Sequence, residues 1–107
     1  MRIDVLYGVQ QMGPQEVQGR VVAMIDVLRA STTIATALGN GARTVIPFED
    51  SEDAITRSKQ LEPGAFLLAG ERRMLKLEGF DLGNSPGEHS AAVVAGKTVL
   101  LATTNGT

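Results

Sequence analysis

The chain of 107 residues has no cysteine, no tryptophan and one histidine. Lacking cysteine, it can offer no thiol nucleophile, thiolate zinc site or disulfide. A single histidine makes a serine triad or a multi-histidine metal centre hard to assemble. Aromatic residues make up only 4% of the chain and the formal net charge is -2, so it has neither stacking platforms nor the basic footprint that nucleic acid requires. Nucleic acid is therefore not expected as a partner. The apolar runs fall well short of the roughly 20 residues that a membrane-spanning helix needs. Met1-Arg2-Ile3-Asp4 lacks the charged and apolar regions of a signal peptide. These absences predict a cytoplasmic protein with no membrane partner, whose chemistry must use carboxylates, arginines, hydroxyls and backbone amides.

What is present reads as an ordinary globular unit, 43% hydrophobic and 21% charged. A chain of this length buries roughly 65% of its unfolded surface, enough for one core. Apolar runs at residues 3–7, 21–26, 44–48, 66–69 and 98–103 predict strands, and residues 31–38, 51–61 and 86–95 predict helices between them. Gly39 and Gly41, Pro63-Gly64 and Gly96 supply the stops. The alternation predicts an α/β fold of three layers, a mostly parallel sheet with crossover helices. Residues 1–107 form a single α/β domain or the N-terminal part of a larger α/β enzyme, and assembly into a homo-oligomer is left open. Ser85-Pro86-Gly87-Glu88 has the pattern of a capping box opening the third helix, which gives Ser85 and Glu88 a structural reading.

Ligands of open parallel sheets bind beyond the carboxyl ends of the strands, where the following helices start. The polar clusters fall at those ends: Asp26 and Arg29 after the second predicted strand, Glu71 and Arg72 after the fourth, and residues 103–107 after the fifth. Asp81 and Asn84 lie just before the third predicted helix. Asp26, Glu71 and Asp81 can supply oxygen ligands to magnesium, and Arg29 and Arg72 can grip an oxyanion with paired hydrogen bonds. Ser31, Thr32 and Thr33 add hydroxyls and the amides of a helix start. Each also has a plain structural reading: Asp26 as a turn residue, Ser31 as an N-cap, Arg29 with Glu71 as an ion pair. It is their convergence that favours a phosphate-handling site. His89 reads as a surface or packing residue, and Arg43, Arg57, Lys59 and Lys97 as solvated surface. Gly39-Asn40-Gly41 lacks the context of a dinucleotide-binding loop, and no P-loop pattern occurs.

Four motifs, DVLRASTTIATAL, LLAGER, GFDLGNSP and TTNGT, in this order and spacing, resemble the 2-phosphosulfolactate phosphatase family. Arg73-Met74 departs from the small residues expected after the Glu-Arg pair. The resemblance implies a cytoplasmic, magnesium-dependent acid phosphatase that hydrolyses 2-phosphosulfolactate, a small phosphorylated acid, to sulfolactate in coenzyme M biosynthesis. It directs attention to Asp26, Arg29, Ser31, Thr32, Thr33, Glu71, Arg72, Asp81, Asn84 and residues 103–107; their chemistry then assigns Asp26 and Arg29 as catalytic residues, and Asp26, Glu71 and Asp81 as metal ligands. Ser31, Thr32, Thr33, Arg72, Asn84, Thr103, Thr104, Asn105, Gly106 and Thr107 become the expected substrate-binding residues. Since the family's chain continues past TTNGT, the 107 residues are expected to be the N-terminal part of a longer protein. The alternative function is a non-catalytic module that holds a small anion at the same rim, or an inactive fragment.

Overall fold

A computed structural model describes residues 1–72 and 75–103. After a short helix α1 (Pro14–Val17), a π-type turn (Val27–Ser31) leads into helix α2 (Thr32–Gly39). Strand β1 (Thr44–Phe48), helix α3 (Ser51–Ser58), strand β2 (Phe66–Arg72) and the two-residue strand β3 (Leu75–Lys76) follow. A 3-10 turn (Pro86–Glu88), helix α4 (Ala91–Val94) and strand β4 (Thr98–Ala102) come last, and a further 3-10 turn (Val9–Gln11) precedes α1. The sheet order is β1-β4-β2-β3. β4 is parallel to both β1 and β2, with Val45 and Leu67 opposite Val99 and with Ile46 and Leu68 opposite Leu100. β3 alone runs antiparallel, folding back on the end of β2.

The twofold alternation of strand side chains divides the core in two. Val45, Leu67, Ala69, Val99 and Leu101 face Ile34 and Ala37 of α2 and Val94 of α4. Ile46, Phe66, Leu68, Leu100 and Ala102 face Ala54 of α3, with Phe80 and Leu77 beside them. The chain is thus a three-layer α/β fold, with β4 at its centre because apolar neighbours cover both faces of TVLLA. Close to the site the strands touch: a Cβ added to Gly70 would lie 2.9 Å from the Ala102 carbonyl oxygen. Only glycine lets β2 approach β4 so closely just before Glu71.

Three expectations are corrected. Residues 3–7 and 21–26 form no strand: they pair with nothing in the described sheet, and Ile3 (72% exposed), Val21 (102%) and Ile25 (84%) stay outside the core. An apolar run records a demand for burial, whereas a strand also needs a neighbouring edge. The segment is tied across its own length by Asp4, which Arg20 meets at 2.6 Å and Arg2 at 3.1 Å. The hydrogen bond from Arg20, with Arg2 adding to it, holds the Asp4 carboxyl below its usual range.

The predicted helix 86–95 is broken into the 3-10 turn and α4. Asn40 Nδ2 donates to the His89 carbonyl at 2.8 Å, and Val93 and Val94 turn to Ser90 O instead. The capping box is also absent. Ser85 makes no side-chain cap, and Glu88 accepts from the Gly83 amide at 3.2 Å. A hairpin at β3 was not anticipated.

The cap of α3 is built as the polar residues after β1 suggest: Asp50 accepts from the Glu52 amide at 2.7 Å. Asp50→Ala should lower stability by about 0.5 to 2 kcal/mol in urea unfolding, without changing the slope of the transition. An unchanged midpoint would show that this cap contributes nothing.

Candidate functional site at the carboxyl end of the sheet

Glu71, near the carboxyl end of β2, joins three separate stretches of sequence. Its side chain is only 13% exposed, and Oε2 accepts from Nη2 of Arg29, whose side chain is 35% exposed. Its other oxygen, Oε1, accepts from the Asn84 amide at 2.8 Å. Thr33, buried at the start of α2, donates through Oγ1 to the Asn84 carbonyl at 2.7 Å. One carboxylate and one hydroxyl thus bond Arg29, Thr33 and Asn84 into a single unit at the sheet end. The local sequence explains why each residue arrives there. Gly70 lets the strand approach β4, the turn at Val27–Ser31 carries Arg29 across the start of α2, and Leu82 bridges to Ala69 and so brings Asn84 alongside β2.

Two concavities flank this unit. One, of about 530 Å³, is lined by Glu49, Asp50, Asp53, Glu71, Arg72 and Thr103. It lies beyond the ends of β1, β2 and β4, the place that a parallel sheet reserves for ligands. Thr103 is buried, and its amide donates to the Phe48 carbonyl at 2.9 Å, fixing the floor between β4 and β1. The other, of about 620 Å³, is an open groove between residues 24–27 and α2, with Asp26, Ser31 and Thr32 on its walls. Thr32 Oγ1 donates to the Val27 carbonyl at 2.5 Å and Ser31 makes no side-chain cap, so these hydroxyls have different tasks.

The structure therefore brings Arg29, Thr33, Glu71 and Asn84 into direct contact, and lines one cleft with Glu71, Arg72 and Thr103. Asp26, Ser31 and Thr32 are placed on the adjoining groove. Asp81 is elsewhere: its carboxylate accepts from the Leu68 amide at 2.9 Å, along the edge of β2 rather than at its end. Among the described residues, no group of three carboxylates or histidines could hold a metal ion, so Asp26, Glu71 and Asp81 do not form one centre. Thr104, Asn105, Gly106 and Thr107 lie outside the described residues.

Sequence reasoning missed the residues behind Asn84. His89 is fully buried, and its Nε2 lies 3.2 Å from the Gly83 carbonyl. Glu88 holds the Gly83 amide, and a Cβ on Gly83 would meet Glu88 Oε2 at 2.6 Å and Glu71 Oε1 at 3.2 Å. The readable signal was the lone histidine just after the GFDLGNSP motif, a position that packs against the turn before it. The acidic lining from Glu49 to Asp53 has no signal in the sequence beyond the start of the predicted helix at residue 51.

Comparison with known proteins gives a consistent result. The family model described as 2-phosphosulpholactate phosphatase matches residues 7–107. A probable 2-phosphosulfolactate phosphatase of Clostridium botulinum (strain Alaska E43 / Type E3) is 43% identical over 107 residues, all of this chain and 45% of that protein. Another, from Caldanaerobacter subterraneus subsp. tengcongensis, is 50% identical over 93 residues, covering 87% of this chain and 39% of its own length. The chain thus spans less than half the length of these relatives. Among the described residues, no helix is long and apolar enough to cross a membrane.

The bonds around Asn84 set two contrasting expectations. Thr33→Val keeps shape but leaves the Asn84 carbonyl without its donor, and should cost about 1 to 3 kcal/mol in urea unfolding. Ser85→Ala removes a hydroxyl that caps nothing, and should stay within about 0.5 kcal/mol of the parent. The reverse order of the two effects would overturn this assignment of bonds.

Proposed function

Because the chain belongs to the 2-phosphosulpholactate phosphatase family, we propose that a family-length protein carrying it hydrolyses 2-phosphosulfolactate, or a similar small phosphorylated acid. The products are sulfolactate and phosphate, and the reaction requires magnesium. The observation that carries this reading is the bonding of three family-like motifs through one carboxylate and one hydroxyl: Arg29 and Thr33 from the first, Glu71 from the second and Asn84 from the third. Residues far apart in sequence are held together at the end of the sheet where α/β folds bind ligands.

Within this reading, Arg29 and Arg72 bind oxyanions. A guanidinium offers paired donors to phosphate, and a substrate that also bears sulfonate and carboxylate needs more than one such clamp. Asp26 is the reacting carboxylate, either attacking phosphorus or taking a proton from water. Glu71 fixes the direction of the Arg29 guanidinium. Magnesium usually takes one or two carboxylates and keeps several waters, so Asp26 or Glu71 would hold it without a three-carboxylate cage. When bound, it would neutralise charge on the phosphoryl oxygens. The same rim could hold an anion without turning it over, and the assay separates the two readings.

Phosphate release from 2-phosphosulfolactate, measured with magnesium and after chelation, tests the proposal. Asp26→Asn should lower turnover by about 100-fold or more at an unchanged unfolding midpoint. Arg29→Lys should also impair turnover, because an ammonium cannot reproduce the paired geometry of the guanidinium. Anion-dependent stabilisation with no phosphate release would support the binding module and reject the enzyme. Full activity of Asp26→Asn would exclude Asp26 from both reacting roles.

A further inference from the structure

Behind the Glu71–Arg29 pair lies a second layer of bonds that the proposed chemistry does not use. The Gly83–Asn84 turn is gripped on successive peptide groups. Glu88 Oε1 accepts from the Gly83 amide at 3.2 Å, Glu71 Oε1 accepts from the Asn84 amide at 2.8 Å, and Thr33 Oγ1 donates to the Asn84 carbonyl at 2.7 Å. The remaining group, the Gly83 carbonyl, faces His89 Nε2 at 3.2 Å. A carbonyl only accepts, so Nε2 must carry the proton and donate it. Nδ1 is buried with no hydrogen-bond partner among the described residues. The residue is itself anchored: it is fully buried, and Asn40 Nδ2, at the C-cap of α2, holds its backbone carbonyl at 2.8 Å.

We propose that His89 is a positioning residue for the site: its Nε2–H orients the Gly83–Asn84 turn, and the Asn84 amide in turn holds Glu71 against Arg29. The imidazole touches no substrate in this scheme and acts only through the turn. A Cβ at Gly83 would meet the carboxylate ends of both Glu88 and Glu71, so a side chain there would displace them. A family member could keep the four rim motifs and still lose the aim of its arginine if this residue were changed. The inference rests on the reading of Glu71 and Arg29 as part of an anion site, yet its geometric content can be measured without turnover.

Amide hydrogen exchange at Asn84 reads the Glu71 bond directly, with the Leu100 amide in β4 as the measure of global opening. In His89→Leu, exchange at Asn84 should rise by roughly tenfold while Leu100 stays within about twofold of the parent. His89→Gln, which places an N–H near the position of Nε2, should restore most of the protection. Parallel increases at both amides, or no increase at either, would overturn the proposal. Should His89→Leu not fold, His89→Gln is compared with His89→Asn, which puts its donor near the position of Nδ1, and equal Asn84 exchange in the two overturns it. In the family-length protein, turnover of the parent together with a fall in His89→Leu that His89→Gln repairs extends the claim to catalysis. Absence of turnover in the parent refutes the enzymatic reading alone and leaves the exchange result to decide the positioning.

Discussion

A carboxylate left only 13% exposed at a strand end favours partners, and Glu71 finds two. Its oxygens accept from the Arg29 guanidinium and the Asn84 amide, which come from opposite sides of β2 in sequence. Desolvating a carboxylate without such partners costs several kcal/mol, so the pairing is close to obligatory once Glu71 is placed there. What surrounds it follows from that demand. Gly70 lets β2 approach β4, Thr33 secures the other side of Asn84, and the Val27–Ser31 turn delivers Arg29. The site is organised by a charge that cannot be left alone.

The same arrangement explains how a small fold holds this set of polar and charged groups in place. Arg29 remains partly exposed, while one edge of its guanidinium is fixed by Glu71. A pre-oriented guanidinium loses less freedom on gripping an oxyanion than a free one would. Arg72 and Thr103 share a cleft with Glu71, and Asp26 lies on the adjoining groove beside the start of α2.

Much of this was legible in the sequence, and what was not has physical reasons. The strands around TVLLA, the three layers and the meeting of Arg29 with Glu71 follow from alternation and charge. Residues 3–7 and 21–26 have the apolar content of strands, but pairing depends on a distant edge that no local pattern encodes. Asp81 is acidic and next to the motif, yet the exposed amide of Leu68 claims its carboxylate. Ser85-Pro86-Gly87-Glu88 looks like a helix start, and the start is there, but Asn40 takes the His89 carbonyl and ends the helix after one turn. In each case a tertiary partner outcompeted a local preference.

The central claim is that Glu71 couples Arg29 to the Asn84 turn. A double-mutant cycle with Arg29→Met and Glu71→Gln, followed by urea unfolding, tests it most directly, because the cycle isolates the interaction from the separate cost of each change. The account predicts an interaction energy of about 0.5 to 3 kcal/mol between the two positions. Strictly additive effects would contradict it.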